Sequence, residues 1–262
     1  MPIDPKASVH PDARLGRDVE VGPFAVVGAA VELGDGCRIG PHAVVLPYTR
    51  LGARNRVHAG AVLGDLPQDA AFDPATVSHL VTGADCVFRE GVTVHRGTKQ
   101  DTETRLGDRC LLMANSHVGH NGRLGDDVIM ANGALLGGYV ELQDRVFVSG
   151  NCVVHQFCRV GRLAMLSGLS AASKDVPPYC ILNNSATNQV AGLNVVGMRR
   201  AGLGAAERLE VKQAFRVLYQ SGLNTGEALA ELKRRFPEGP AAAFWAFGEA
   251  STRGLCGFIH DR

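Results

Sequence analysis

An aliphatic residue recurs at every sixth position along most of this chain, and no other feature restricts its fold as strongly. An α-helix needs a period of about 3.6 and an antiparallel strand a period of about 2, so a period of six predicts a short strand followed by a turn. Three such units close a triangular coil, which predicts an all-β left-handed parallel β-helix built from hexapeptide repeats. The aliphatic positions are Val9, Leu15, Val21, Val27, Leu33, Ile39, Val45, Leu51, Val57 and Leu63, then Phe88 and Val94, then Leu106, Leu112, Val118, Leu124, Met130, Leu136, Leu142, Val148, Val154, Val160, Leu166 and Ala172.

The residues around each aliphatic also follow the repeat. We predict that the aliphatic points into the coil, and that the glycine that often follows it permits turn conformations that cost other residues free energy. The small residue four positions after the aliphatic would fit beside the aliphatic of the next face. Cysteine occupies this slot at Cys37, Cys86, Cys110, Cys152 and Cys158, so we interpret these cysteines as small buried hydrophobes.

Two interruptions and one ending divide the chain. The repeat breaks at 65–81 and 97–105, and insertions in a solenoid leave it as loops on one face, often the binding face. It stops after 175–179, so we assign 1–180 to the β-helix and 181–262 to a connecting segment and a small α-helical C-terminal domain. Helical periodicity predicts helices at 207–219, 225–236 and 241–252, the first with Leu209, Phe215 and Leu218 near one face. These helices would cap the last coil.

The overall charge gives no reason to expect nucleic acid or a membrane surface as a partner. There are 27 basic and 26 acidic residues, a net charge of +1. The first ten residues lack a charged segment followed by an apolar one, and no apolar run reaches the roughly 20 residues that span a bilayer. Seven cysteines without a CxxC pair argue against a disulfide framework and a standard zinc site. We expect a cytoplasmic protein without membrane insertion.

Stacked coils bring residues 18 positions apart together. His120 would lie below Gly138 and Gln156, and His155 above Gly137, with His117 close by across a turn. The result would be a polar cleft that holds a candidate general base and a main-chain N–H for a developing oxyanion. Two other interpretations remain at this point: a solvated surface histidine, and a zinc ion held by the clustered histidines.

Five motifs carry a resemblance to a known family. They are Val-His-Arg-Gly-Thr at 94–98, Leu-Met-Ala-Asn-Ser-His-Val-Gly-His at 112–120, Val-His-Gln-Phe-Cys at 154–158, Asp-Val-Pro-Pro-Tyr at 175–179 and Ser-Thr-Arg-Gly-Leu at 251–255. In order and spacing the chain resembles the UDP-N-acetylglucosamine O-acyltransferases of lipid A biosynthesis. The resemblance implies a homotrimer with active sites between subunits. It also implies transfer of a 3-hydroxyacyl chain from acyl carrier protein to the 3-position of a UDP-amino sugar, without a metal or another cofactor.

The resemblance also implies a role for each matching position. His120 matches the general base, and the N–H of Gly138 matches the oxyanion donor. Gly168 matches a position where side-chain size limits the length of the acyl chain. The positions that match the nucleotide-sugar site are Asp69, His117, His155, Gln156, Asn194 and Arg200.

Five positions depart from the family pattern. Asn121 stands where an acidic residue normally follows the base, and Tyr139 stands where a histidine is usual. Ala71 replaces a lysine, Val196 a glutamate and Ala201 an arginine. These departures leave three alternatives open: an acceptor with a 3-amine, which is a stronger nucleophile; a paralogue with another nucleotide sugar or an acyl-CoA donor; and a non-catalytic trimer that binds a nucleotide sugar.

Overall fold

The computed structural model describes residues 3–184 and 187–259, so the outermost ends of the ranges 1–180 and 181–262, and residues 185–186, lie outside it. Short strands alternate with turns and pair in parallel with the strand 18 residues further on, as in Ser8 with Val26 and Val9 with Val27. The chain therefore winds as a β-helix with three flat faces, and the fold predicted from the six-residue period is confirmed.

Within the described residues each face is one sheet. The face that we call the site face comprises Ser8–Val9, Val26–Val27, Val44–Val45, Val62–Asp65, Thr93–His95, His117–Val118, Leu135–Leu136, Val153–Val154 and Ala171–Ala172. The charged face comprises Arg14–Leu15, Glu32–Leu33, Thr49–Leu51, His79–Thr82, Glu103–Leu106, Arg123–Leu124, Glu141–Leu142 and Arg159–Val160. The third face comprises Glu20–Val21, Arg38–Ile39, Arg56–Val57, Val87–Phe88, Leu111–Leu112, Ile129–Met130, Phe147–Val148, Met165–Leu166, Cys180–Leu182, Gln189–Leu193 and Gly257–Phe258.

The interior of the coils is one continuous apolar core. The second residue of the two-residue strands points inward, as Leu112 and Met130 do with no exposed surface. The cysteines of the repeat are at most 1% exposed and all seven cysteines are free thiols, which confirms their interpretation as small buried hydrophobes. Burying an aliphatic side chain such as Leu or Met contributes about 1.5–3 kcal/mol, so the repeated aliphatic residues supply the stability of the β-helix.

The structure explains the glycine after the aliphatic differently from the prediction. The left-handed backbone conformation falls two positions later, at residues such as Asp18, Tyr139 and Phe157, most of them not glycine. A Cβ at Gly34 would instead lie 2.7 Å from the main chain of the coil above, and one at Gly119 would lie 2.7 Å from Gly137. Glycine is required there because adjacent coils approach too closely for a side chain.

The two insertions lengthen single coils without breaking them. Extruded segments run over 66–78 and 96–102, shorter than the predicted 65–81 and 97–105, because their flanking residues pair as strands at Val62–Asp65, His79–Thr82 and Glu103–Leu106. Arg96 anchors the first segment. Its buried guanidinium lies 5.2 Å from the ring of Tyr48 and 5.7 Å from that of Phe72, so it joins the segment to the coil below.

The C-terminal part closes the last coil with helices. In the described residues these are α1 (Val195–Arg200), α2 (Ala205–Gln220), α3 (Thr225–Arg235), a 3₁₀ turn (Pro240–Ala242) and α4 (Ala243–Glu249). Tyr179 is fully buried beneath them and donates its hydroxyl to the carbonyl oxygen of Pro240 at 3.0 Å. The helices α2, α3 and α4 lie where three helices were predicted, whereas α1 was not predicted. Leu209 is 55% exposed, while Phe215 and Leu218 are buried. None of the described helices is both long and apolar enough to cross a membrane.

Candidate active site

Three turns stack at the edge between the site face and the charged face. They belong to successive coils and carry His120, Gly138 and Gln156. The N–H of Tyr139 donates to the carbonyl oxygen of His120 at 2.9 Å, and the N–H of Phe157 donates to that of Gly138 at 3.0 Å. The structure therefore places the three residues in one column, with His155 and Gln156 exposed at its upper end.

The imidazole of His120 packs directly against Gly138. A Cβ at position 138 would lie 2.4 Å from Cε1 and 2.5 Å from Nε2 of the ring, so only glycine leaves the ring its space. Below it, a Cβ at Gly119 would lie 2.8 Å from the nitrogen of Gly138. Within residues 3–184 and 187–259 the N–H of Gly138 has no hydrogen-bond acceptor. Two glycines thus keep a free donor open beside a half-buried histidine.

Asn121 sets the tautomer of His120. The main-chain N–H of Thr98 donates to Asn121 Oδ1 at 3.0 Å, and a main-chain donor requires an oxygen there, which fixes the orientation of the amide. The same oxygen lies 3.1 Å from His120 Nδ1. Because an oxygen without a hydrogen only accepts, Nδ1 carries the proton and Nε2 is left with its lone pair. The ring is therefore arranged as a base at Nε2.

Thr98 connects two of the positions that depart from the family pattern. Its hydroxyl is 2.9 Å from Asn121 Oδ1 and 2.9 Å from the hydroxyl of Tyr139. Asn121 is also held by the hydroxyl of Thr104, which accepts its main-chain N–H at 2.7 Å, and it is only 8% exposed. Asn121 and Tyr139 are thus parts of one ordered network around His120.

Two further histidines extend the site along the site face. The rings of His95 and His117 make an edge contact with centroids 4.8 Å apart, and His117 Nδ1 lies 2.8 Å from the hydroxyl of Thr93. Burial, with smaller contributions from His95 and His120, lowers the pKa of His117 to about 4. His117 is therefore uncharged at neutral pH and acts there as a hydrogen-bonding group.

The remaining predicted site residues lie further from the column. Asp69 is exposed on the extruded segment 66–78, where its carboxylate accepts the N–H of Ala71 at 2.9 Å. Asn194 caps α1: its amide oxygen accepts the N–H of Gly197 at 2.9 Å, and its amide nitrogen donates to the carbonyl oxygen of Leu163 at 2.9 Å. Arg200 is exposed in the last turn of the same helix.

Gly168 lies at the opposite edge of the site face from His155. A Cβ built on it would be 3.7 Å from the carbonyl oxygen of Gly150, its nearest neighbour, which is an ordinary contact distance. Its packing therefore does not require glycine.

Prediction from the sequence missed three residues of the site. His95 and Thr98 belong to the motif at 94–98 and Arg253 to the motif at 251–255, so these motifs were the available signal. As for metals, none of the described residues form a group of three or more His, Cys, Asp or Glu side chains that could hold an ion.

Comparisons with known proteins give one consistent family assignment. The family model described as UDP N-acetylglucosamine O-acyltransferase, domain 2, matches residues 175–256. The protein named acyl-(acyl-carrier-protein)–UDP-N-acetylglucosamine O-acyltransferase is 41% identical in Stutzerimonas stutzeri over 97% of this chain and 98% of that one. The protein of that name in Alkalilimnicola ehrlichii is 44% identical over the same shares.

Solved structures show the same likeness. The UDP-N-acetylglucosamine acyltransferase of Francisella novicida superposes with a TM-score of 0.94 at 31% identity, over 99% of this chain and 95% of that one. The corresponding enzyme of Bacteroides fragilis superposes with a TM-score of 0.91 at 35% identity, over 96% and 98%. These structures are left-handed β-helices, which confirms the predicted handedness. The chain belongs to the UDP-N-acetylglucosamine O-acyltransferase family.

Proposed function

We propose that this chain transfers a 3-hydroxyacyl group from acyl carrier protein to the 3-hydroxyl of UDP-N-acetylglucosamine, the first step of lipid A biosynthesis. Family membership over nearly the whole chain supports the reaction class. The observation that carries the mechanism is that Asn121 Oδ1 lies 3.1 Å from His120 Nδ1, an arrangement that leaves Nε2 of the neutral ring as the acceptor beside the free N–H of Gly138. A base and an oxyanion donor side by side are what acyl transfer to an alcohol needs.

In this mechanism His120 Nε2 takes the proton of the sugar 3-hydroxyl as its oxygen attacks the thioester carbonyl carbon. The carbonyl electron pair moves onto oxygen, and the N–H of Gly138 donates to that oxyanion. When the tetrahedral intermediate collapses, the C–S bond breaks and the leaving thiolate takes the proton from the imidazolium. The ester has then formed and His120 is neutral again.

The direct test is transfer from 3-hydroxyacyl-acyl carrier protein to UDP-N-acetylglucosamine by the full chain, with acyl-CoA as a parallel donor. Product formation that requires the carrier protein is the expected result. Transfer from acyl-CoA alone would contradict the proposed donor. Binding of UDP-N-acetylglucosamine without any transfer would mean that the chain is a binding protein.

The nucleotide sugar is proposed to bind around the column of turns. Its proposed contacts are Asp69, His117, His155, Gln156, Asn194 and Arg200. An exposed guanidinium such as that of Arg200 fits a diphosphate because its donors are fixed in a fork. Asn194 contributes by holding α1, the helix that presents Arg200. Acyl carrier protein as a co-substrate requires no further cofactor in this proposal.

The active unit is proposed to be a homotrimer. Large apolar side chains of the site face stay partly exposed, with Leu135 and Val153 each 43% exposed. The charged face instead carries outward ion pairs, such as Arg14 with Glu32 at 3.5 Å. An apolar face is the surface that a second subunit covers, and a third subunit closes the ring. Light scattering gives the particle mass directly.

We place the reaction in the cytoplasm, where the seven free thiols are kept reduced.

The acyl chain is proposed to lie along this apolar part of the site face and to end near Gly168. Because a Cβ at position 168 has no neighbour closer than 3.7 Å, we expect Gly168→Leu to fold normally and to shorten the preferred acyl chain by several carbons. Relative kcat/KM across a series of 3-hydroxyacyl chain lengths measures this. A parallel loss of activity at all lengths, without a shift in preference, would contradict the role of Gly168.

Asn121 favours a second candidate acceptor, a UDP-sugar with a 3-amine. The neutral amide orients His120 but adds no negative charge to stabilise the imidazolium, and an amine needs less help from a base than an alcohol does. Turnover of the two UDP-sugars side by side decides between the acceptors.

The variant Asn121→Asp tests the effect of that missing charge. A carboxylate beside Nδ1 favours the protonated imidazole, so the acid limb of the pH–rate profile should move to higher pH by roughly one unit. Above that limb, transfer to the hydroxyl sugar should rise about tenfold, because the developing imidazolium is stabilised. Transfer to the amine sugar should change much less. An unchanged pH profile would mean that Asn121 does not act through His120.

A further inference from the structure

The C-terminal motif 251–255 is anchored to the end of the β-helix by a buried carboxylate. Ser251 Oγ donates to Asp175 Oδ2 at 2.6 Å, and Asp175 has no exposed surface. The main chains also pair: Asp175 N–H donates to the carbonyl oxygen of Gly254 at 2.9 Å, and Cys256 N–H donates to that of Asp175 at 2.8 Å. These bonds hold the main chain of the motif in place, and none of them involves the side chain of Arg253.

Held in this way, Arg253 reaches the upper end of the column of turns. Its Nη2 donates to the carbonyl oxygen of Ser173 at 3.1 Å and lies 3.3 Å from His155 Nδ1. A guanidinium has donors only, so its contact with the imidazole is a hydrogen bond when Nδ1 presents a lone pair. The proton of the neutral ring is then on Nε2.

A second contact of the same nitrogen favours the opposite tautomer. His155 Nδ1 also lies 3.1 Å from the carbonyl oxygen of Gln156, a bond that forms when Nδ1 carries the proton. The two bonds exclude each other. A hydrogen bond from a charged donor is roughly twice as strong as one between neutral groups, and the guanidinium is already held by Ser173. The contact with Arg253 therefore prevails.

We propose that Arg253 is a positioning residue that selects the tautomer of His155 with the proton on Nε2, so that His155 offers a hydrogen-bond donor to an oxygen of the nucleotide sugar. This inference rests on the proposed function, in which His155 contacts that substrate. Without Arg253 the ring proton resides on Nδ1, which donates a hydrogen bond to the carbonyl oxygen of Gln156. Nε2 then becomes an acceptor that faces substrate oxygens unfavourably.

The test compares Arg253→Met with Arg253→Lys and with Arg216→Met, a control on an exposed arginine of α2. Imidazole ¹⁵N NMR of the full chain, with the His155 signals assigned by their loss in His155→Gln, reports the tautomer. We expect the proton on Nε2 in the wild type, in Arg216→Met and in Arg253→Lys, which keeps a cationic donor. We expect it on Nδ1 in Arg253→Met, with the KM for the UDP-sugar raised about tenfold and the thermal midpoint lowered only slightly by loss of the bond to Ser173.

Several results would overturn the inference. These are the same tautomer in Arg253→Met as in the wild type, a doubly protonated ring in the wild type, and a fall in thermal midpoint as the only effect of Arg253→Met. The NMR measurement does not depend on turnover. An inactive wild type with the expected tautomer switch would reject the proposed reaction and leave the role of Arg253 intact, which keeps the two failures distinct.

Discussion

Replacing His120 by alanine should reduce acyl transfer by about 10³-fold, within the range of roughly 10² to 10⁴ that a positioned general base contributes. The loss should fall on kcat, because Nε2 takes the proton of the acceptor only as the new bond forms. Binding of UDP-N-acetylglucosamine should change little. Steady-state kinetics with acyl carrier protein thioester, together with calorimetric titration of the UDP-sugar, separates the two effects.

The fold should tolerate this change. His120 is half-buried in a turn, and the column around it is held by main-chain bonds such as that from Tyr139 to the carbonyl oxygen of position 120. The matched control is His10→Ala, an exposed turn histidine of the first coil, which should retain full activity. If His120→Ala kept more than about a tenth of wild-type kcat, another group would be the base.

Replacing Gly138 by alanine should also inactivate the enzyme, by roughly 10²-fold or more, although it adds only one methyl group. That methyl would stand 2.4 Å from Cε1 and 2.5 Å from Nε2 of His120, closer than non-bonded carbon atoms approach. The ring must therefore rotate away, which separates the base from the oxyanion donor. Activity and the thermal midpoint should be measured on the same preparation.

The control for this prediction is Gly226→Ala, on the exposed side of α3 and away from the site face. Its Cβ meets only Asn224 Oδ1 at 3.5 Å, so the variant should fold and turn over like the wild type. Equal activity of Gly138→Ala and Gly226→Ala would show that the space between Gly138 and His120 has no catalytic importance. Unfolding of Gly138→Ala alone would show that its glycine serves packing instead.

Much of this molecule followed from a period of six in its sequence. Each six-residue unit forms one face of a coil and buries one aliphatic side chain. The fold, the buried cysteines and the pairing of Ser8 with Val26 could therefore be predicted. The same arithmetic placed His120 below Gly138, because residues 18 positions apart stack wherever the repeat is unbroken. The resemblance to a family was needed only to choose the general base over a solvated histidine or a zinc ligand as the role of His120.

Contacts outside the repeat were decided by the tertiary structure. The sequence did not show that Asn121 and Tyr139 share the hydroxyl of Thr98, since Thr98 lies on an extruded segment that has no place in the register. The glycines that follow the aliphatics serve close approach of the coils, and this distance appears only when the coils are stacked.

The sequence by itself thus determined the β-helix, its core and the column that contains His120, because those contacts repeat along the chain at a constant separation. Only the tertiary structure brought Arg253 to His155 across 98 positions. It also turned Asn194 into a helix cap. The physical reason is that a periodic pattern specifies neighbours at a constant separation. Where an insertion or a C-terminal tail docks depends instead on the particular shapes and hydrogen-bonding groups that meet there.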